Sequence, residues 1–350
     1  MNASFSHARI ARVVATPGTV VVLLDDELAS YGGDAAQLAR IKRTVGLEER
    51  RVAAESVTAL DLGEQAARQL LAEESAPPDA VIFVTQTPDH SQPGNAALLH
   101  GRLSLPKETL AFDVNLGCSG YVYGLYLASL LVEAGGCRRV LLCAGDTLSR
   151  CVPPQDRATA PLFGDAGSAT LVERTEEEWP SWFSLRTDGA EANAICVPAG
   201  GARQPHGEMT AKLETDASGN VRTPEHLHMD GAAVFNFSLR EVPSSIQEVL
   251  TLAGKSVRDV DAFVLHQANK YILQNIAKRC GIPEEKMPVG TLARFGNTSS
   301  ASIPLTLCAE LAEEISDGEK TVLLAGFGVG LSWASAVVQL NKKTRLGLGA

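Results

Sequence analysis

The feature that most constrains this chain is a cysteine set between a strand-like run and a helix-like run, in Ala111-Phe-Asp-Val-Asn-Leu-Gly-Cys-Ser-Gly-Tyr-Val-Tyr-Gly-Leu125. Ala111 to Val114 reads as a short strand, and the apolar residues beyond Cys118 read as a long helix. Only a tight turn bearing Gly117 remains between them. At such a junction the unpaired N–H groups of the first helical turn meet the positive end of the helix dipole, and both stabilise a thiolate. Gly117 and Gly120 allow the bend and let a bound group approach the backbone. The position suits a nucleophile; the plain alternative is a small core sulfur, which free cysteines often are.

Strands and helices alternate along the rest of the chain. Ile10 to Val22 is β-branched and interrupted by Pro17-Gly18, which predicts two short strands around a turn. Asp34 to Arg43 and Val57 to Ala76 predict helices; the second places Val57, Leu60, Leu62, Ala66 and Leu70 at helical spacing and stops at Pro77-Pro78. Ala80 to Thr85 predicts a buried strand, Asn95 to Leu103 a helix, and Thr109 to Val114 the strand leading to Cys118. Strands follow at Arg139 to Ala144 and Ser168 to Glu173. Acidic Glu176-Glu-Glu178 reads as a surface junction. Beyond it the pattern predicts a strand at Ser181 to Thr187, mostly loop over Ala199 to Thr223, and a long helix from Gly231 to Ala253 interrupted near Pro243. A strand at Ala262 to His266, helices at Asn269 to Cys280 and Ser300 to Ile315, and strands at Thr321 to Ala325 and Ser332 to Leu340 complete the reading. Such alternation argues for α/β layers with substantially parallel sheet.

Composition narrows the function classes. A net charge of −10 over 350 residues argues against a general nucleic-acid or anionic-membrane role. Seven scattered cysteines with no Cys-x-x-Cys pair argue against a disulfide framework or a structural zinc site. Met1 to Arg12 lacks the apolar run of a signal peptide, and Tyr121 to Val132 is too short to span a bilayer, so a cytoplasmic location is expected. Glu225-His-Leu-His-Met229 puts His226 and His228 on one strand face without a third metal ligand in evidence. Gly326-Phe-Gly-Val-Gly330 lacks the Gly-x-x-x-x-Gly-Lys of a phosphate loop.

Two further stretches accompany Cys118. Leu265-His-Gln-Ala-Asn269 puts His266 at a strand end, and Phe295-Gly-Asn-Thr-Ser-Ser-Ala301 puts Asn297 in a loop before a helix. Side chains project into sites from such places. Singly, the histidine is as readily structural and the asparagine a turn residue. Together with Asp113-Val-Asn-Leu-Gly-Cys-Ser-Gly120, they resemble, in order, the motifs of the β-ketoacyl-acyl-carrier-protein synthase III family, within the thiolase-like fold. Phe163-Gly-Asp-Ala-Gly-Ser-Ala169 and Phe327-Gly-Val-Gly-Leu-Ser-Trp333 also fit that family.

The resemblance implies two similar α/β halves in an α-β-α-β-α layering, residues 1–176 carrying Cys118 and residues 177–350 carrying His266 and Asn297, assembled as a homodimer. It implies that Cys118 is acylated by a thioester, with the Cys118 and Val329 amides as oxyanion donors. Val329 stands where the family usually has Gly. His266 and Asn297 would then stabilise the enolate left when a malonyl thioester loses carbon dioxide. No metal or redox cofactor is implied; acyl-CoA or acyl-carrier-protein thioesters are the substrates.

Three departures sharpen the expectation. Aligning Gly46 with the family's glycine puts Arg40 and Thr44 where a Trp and an Arg clamp the CoA adenine. Lys278 and Arg279 match basic positions that relatives present to acyl carrier protein, with Lys270 a neighbouring substitute for a third, so carrier-protein donors are expected to outperform CoA. Gln92 takes the place of a Phe that closes the partner's acyl pocket, beside Phe327 in the subunit's own pocket. A longer or more polar acyl group is expected, which would suit polyketide, secondary-metabolite or another specialised pathway rather than bulk fatty-acid initiation. Three alternatives stay open here. One is acyl transfer from Cys118 to an oxygen or nitrogen nucleophile with His266 as base, another a papain-like hydrolase using Cys, His and Asn, and the third a non-catalytic dimer partner.

Overall fold

The computed structural model describes residues 1–31, 33–216 and 219–349. The strands are β1 (Asn2–Phe5), β2 (Ala8–Pro17), β3 (Val20–Leu23), β4 (Glu49–Val52), β5 (Ala80–Val84), β6 (Leu110–Val114), β7 (Arg139–Asp146), β8 (Ala166–Arg174) and β9 (Ser181–Thr187). After β9 come four two-residue strands, β10 (Ile195–Cys196), β11 (Glu214–Thr215), β12 (Val221–Arg222) and β13 (His228–Met229). The last strands are β14 (Ala262–Leu265), β15 (Lys320–Gly328), β16 (Ser332–Leu340) and β17 (Arg345–Leu348). The helices are α1 (Ala35–Val45), α2 (Ala59–Leu71), α3 (Asn95–Arg102), α4 (Gly120–Glu133), α5 (Gly231–Leu252), α6 (Lys270–Cys280), α7 (Gly290–Phe295), α8 (Ser302–Glu310) and α9 (Ala312–Ser316).

Among the described residues, two large sheets form, one ordered β17-β2-β8-β7-β5-β6 and the other β1-β9-β16-β15-β14. They repeat one topology. In the first, β5 runs parallel to β7, β7 antiparallel to β8 and β8 antiparallel to β2. In the second, β14 runs parallel to β15, β15 antiparallel to β16 and β16 antiparallel to β9. The chain ends cross between the sheets: β1 pairs with β9, and β17 pairs with β2. Neither edge partner was legible as a strand, because both are short and half-exposed.

Helices α2 and α3 cover the outer face of the first sheet, α5 and α6 lie on the outer side of the second, and α4 and α8 are sandwiched between them. The layering is therefore α-β-α-β-α. The buried centre explains α4. Its residues Tyr121, Val122, Leu125, Ala128 and Val132 are buried against both sheets, so it is apolar around much of its circumference instead of on a single stripe.

Three elements depart from the sequence expectation for identifiable reasons. Helix α5 runs through Pro243 without a break. The proline has no N–H for the Leu239 carbonyl, and that carbonyl instead accepts from Arg279 Nη1 at 2.8 Å. Helix α2 ends at Leu71, short of Ala76, and Glu73 just beyond it pairs with Arg12 and Arg345. The run expected as one helix from Ser300 to Ile315 divides into a short 3-10 turn, α8 and α9. Glu310, the last residue of α8, accepts from the Gly290 N–H at 3.2 Å and so ties that end to the start of α7.

Candidate active site

Strand β6 delivers Cys118 to the N-terminus of the buried helix α4, as the strand-turn-helix pattern predicts. From the other half, β14 ends immediately before His266, and Asn297 sits in the loop between α7 and α8. That loop is fastened to the first half through Phe163-Gly-Asp. Asn297 N–H donates to the Leu162 carbonyl at 2.9 Å and Gly164 N–H to the Asn297 carbonyl at 3.0 Å. Asp165 in turn accepts from Ala53 N at 2.9 Å and Ser149 N at 3.0 Å. The glycine-rich motif thus acts as a buckle between the halves.

Cys118, His266 and Asn297 line one cavity of about 100 Å³, together with Phe327 and Val329. Cys118 is 8% exposed, His266 1% and Asn297 6%. Most of the remaining wall is apolar, with Leu148, Leu162, Phe163, Leu227, Met229 and Ile272, and Gln86 and Asn269 add polar side chains. Leu227 and Met229 come from Glu225-His-Leu-His-Met229, beyond the loop expected over Ala199 to Thr223, on the face opposite His226 and His228. Gly328 is required by proximity: a Cβ there would lie 3.0 Å from Cys118 Sγ. The neighbouring turn is also stapled to the residue that follows Cys118. Ser332 Oγ donates to the Val329 carbonyl at 2.7 Å and lies 2.6 Å from Ser119 Oγ.

The polar side chains are oriented by partners. Asn297 Oδ1 accepts from Ser299 N–H at 3.0 Å, which leaves its Nδ2 donors uncommitted by that contact. His266 Nδ1 is 2.8 Å from Ser302 Oγ, and its ring meets Phe327 edge-on at 5.5 Å. Burial pushes the His266 pKa down to about 3, so the imidazole is neutral at physiological pH. Burial pushes the Cys118 thiol the other way, up to about 12, opposed by a hydrogen bond from Ser299. The resting thiolate expected from helix position is thus outweighed by desolvation, a quantity that local sequence does not contain. Asp146, fully buried, accepts from Gln86 N at 2.7 Å, Ser300 Oγ at 2.7 Å, and Thr85 Oγ1 and Ser300 N at 3.2 Å. Gln86, Asp146, Ser299 and Ser302 had not been singled out from sequence. Only the two serines lie in or beside a motif that could have pointed to them.

Known proteins supply the decisive comparison. Residues 112–189 match the family model described as 3-oxoacyl-[acyl-carrier-protein (ACP)] synthase III, and residues 250–340 match that of its C terminal part. A β-ketoacyl-[acyl-carrier-protein] synthase III of Streptococcus suis is 35% identical over 96% of this chain and 99% of its own. This chain belongs to the 3-oxoacyl-[acyl-carrier-protein] synthase III family. Solved structures agree. A 3-oxoacyl-(acyl-carrier protein) synthase from Burkholderia xenovorans LB400 superposes with a TM-score of 0.93 at 37% identity, covering 99% of this chain and 98% of that one. A second 3-oxoacyl-(acyl-carrier-protein) synthase III gives 0.89 at 43% identity, covering 95% and 99%. The fold is thiolase-like, and membership of the synthase III family sets the papain-like reading aside.

Placement of the outlying residues is more varied. In this synthase III homologue Lys278 and Arg279 are exposed on α6, but Arg279 also serves the Leu239 carbonyl. Lys270 is half-buried at the start of α6, close against Gly46: a Cβ on Gly46 would lie 2.6 Å from Lys270 Cβ. Arg40 and Thr44 are exposed on α1 and do not line the cavity. Gln92 is exposed in the loop between β5 and α3 and does not line the cavity. His226 Nδ1 accepts from Thr223 N at 3.0 Å, and His228 Nε2 lies 3.1 Å from the Thr223 carbonyl, so both rings hold a loop. No helix among the described residues is long and apolar enough to cross a membrane.

Proposed function

We propose that the protein catalyses decarboxylative condensation of an acyl group with malonyl-acyl carrier protein, by way of an acylated Cys118. The observation that carries this reading is the convergence of a buried thiol, a neutral imidazole and an oriented carboxamide on one largely apolar cavity. In the first step Cys118 sulfur attacks the thioester carbonyl, the carrier thiolate leaves, and the thiol proton goes with it. Developing negative charge on the carbonyl oxygen is met by the Cys118 and Val329 amides. In the second step the malonyl carboxylate departs as carbon dioxide, and its electron pair becomes an enolate. Ser302 Oγ lies 2.8 Å from His266 Nδ1, and in the tautomer with the ring proton on Nε2, Nε2–H and Asn297 Nδ2–H both serve the enolate oxygen. The enolate carbon then forms a bond to the acyl carbonyl carbon, the carbon–sulfur bond breaks, and the Cys118 thiolate is restored. Nothing in this sequence calls for a metal or redox cofactor. The test is carbon dioxide released from malonyl-acyl carrier protein by the acylated enzyme. Acyl transfer to a small oxygen or nitrogen nucleophile without that release would replace condensation by the second reading.

The carrier partner is proposed to dock on α6 through Lys278, supported by the exposed face of Arg279. Lys270 is set back from that surface. A basic helix on a chain of net charge −10 gives an acidic carrier a local target. Lys278→Glu is expected to raise KM for carrier-protein donors about three- to fivefold at low salt, close to the worth of one exposed charge contact. CoA donors should be unaffected, and the carrier advantage should shrink as salt rises past about 0.2 M. Equal use of both donors at every ionic strength would overturn this docking surface.

A second copy of the chain is the other proposed partner. Strand β6 is the open edge of the first sheet, apolar in sequence, with Leu110 48% exposed. Natural edges of this kind are covered. Pairing there would bring Gln92 to the partner's cavity, where an amide in place of Phe favours a longer or more polar acyl group. Leu110→Arg is expected to sediment at one chain mass where the parent sediments at two, and to lose the parent's preference among acyl donors. Unchanged mass would sink the edge contact. An unchanged donor preference in a monomeric variant would sink the role of Gln92.

A further inference from the structure

Beside the thiol lies a set of groups that the condensation scheme leaves unused. Ser299 is buried, its Oγ is 3.8 Å from Cys118 Sγ, and its φ is 52°. A serine adopts that left-handed conformation when its surroundings impose it. Its N–H and its hydroxyl are both held. Ser299 N–H donates to Asn297 Oδ1 at 3.0 Å, and Gln86 Nε2 donates to Ser299 Oγ at 2.9 Å. The turn before Cys118 leaves room for that amide only because residue 117 is glycine: a Cβ there would fall 2.6 Å from the Gln86 carboxamide. Asp146 ties the arrangement together from behind, accepting from Gln86 N at 2.7 Å and from Ser300 Oγ at 2.7 Å. Because Gln86 occupies a lone pair of Ser299 Oγ with a donated hydrogen, the hydroxyl's own hydrogen is left for one of two acceptors, Sγ at 3.8 Å or the Asp146 carboxylate, and ionisation of the thiol draws it to sulfur.

We propose that Ser299 is the hydroxyl donor that stabilises the Cys118 thiolate, and that Gln86 is the positioning residue that turns the hydroxyl hydrogen towards sulfur. This rests on the reading of Cys118 as the nucleophile. A hydroxyl donates more strongly to a sulfur anion than to a neutral thiol, so the contact assists ionisation. It works against burial and against the negative charge of Asp146, both of which push the Cys118 thiol up. The other titratable group on the cavity is His266, held neutral by burial. The left-handed turn at Ser299 acquires a purpose: it aims a hydroxyl at sulfur from the same loop that supplies Asn297.

The experiment is alkylation of Cys118 by iodoacetamide in the full chain, followed by mass spectrometry of the Cys118 peptide between pH 6 and 10 without acyl substrate. Ser299→Ala is expected to slow alkylation about tenfold at every pH in that range, as for a rise of about one unit in the thiol pKa, while the rate still climbs with pH without levelling. Ser299→Gly relieves the backbone strain while removing the hydroxyl, and should show the same loss. Gln86→Leu should lose less, and the Ser299→Ala, Gln86→Leu double variant should be no slower than Ser299→Ala, because the amide acts through the hydroxyl. Parent rates in both Ser299→Ala and Ser299→Gly would overturn the proposal. Losses that multiply in the double variant would overturn the positioning role of Gln86. A parent protein that alkylates at other cysteines in preference to Cys118 would overturn the nucleophile assignment, and this proposal with it.

Discussion

Cys118→Ala protein incubated with an acyl thioester should gain no acyl mass, whereas the parent should gain one acyl group per chain. The expected loss of turnover is about 10⁴-fold or more, the scale seen when a covalent nucleophile is deleted and only binding and the oxyanion donors remain. The other cysteines are poor substitutes. Cys143 and Cys308 are buried in the core clusters, and Cys137, Cys151, Cys196 and Cys280 do not line the cavity. The pH dependence follows from the direction of the Cys118 shift. A thiol pushed up to about 12 is protonated throughout the working range. Its ionised fraction therefore rises about tenfold per pH unit below that value. Acylation of the parent should climb from pH 6 to 9 without levelling. A plateau beginning near pH 7 would mean that the helix N-terminus and Ser299 lower the thiol further than burial raises it. Adduct at one per chain in Cys118→Ala would sink the assignment outright.

The second large effect is expected at the decarboxylation step. His266→Ala and Asn297→Ala should each still accept an acyl group, but release carbon dioxide from the malonyl thioester about a hundredfold more slowly or worse, as for loss of one oxyanion donor. Because both groups serve the same oxygen, the double variant should fall well short of the product of the two losses. His266→Gln retains an N–H donor without a basic ring nitrogen. It should therefore keep more decarboxylation than His266→Ala. A His266 acting as general base for an oxygen or nitrogen nucleophile would lose activity equally in both. Since burial pushes His266 down to about 3, its protonated form falls below about a tenth above about pH 4, and the decarboxylation profile should show no acid limb near 6.5. Parent-like carbon dioxide release from both alanine variants would remove the enolate role.

Much of the site could be read in the chain, because its key residues sit at local transitions. A strand that stops at Val114 and a helix that starts at Gly120 leave Cys118 in a place defined by a few neighbouring residues. His266 follows β14 in the same way, and Asn297 lies in a turn between two helices. Such short-range features depend on backbone propensity and hydrogen-bond supply, which the local sequence carries. The helix expected near Pro243 was misjudged for the opposite reason. Its freed carbonyl is answered by Arg279, 40 residues away.

By itself, then, the sequence determined the alternation of strands and helices, the local setting of Cys118, His266 and Asn297, and, through motif order, the family. Tertiary structure alone decided what those residues face. Closing the two halves buries Cys118 and His266 together, raising one pKa and lowering the other, since desolvation opposes whichever form carries charge. The same closure brings Gln86 from just beyond the end of β5 to Ser299, 213 positions later, and lets Asp146 hold Gln86 and Ser300. It also sends β1 and β17 to each other's halves, where short, half-exposed strands gain the ladder partners that make them strands. Burial and pairing at this distance are properties of the packed chain, and no window of neighbouring residues contains them.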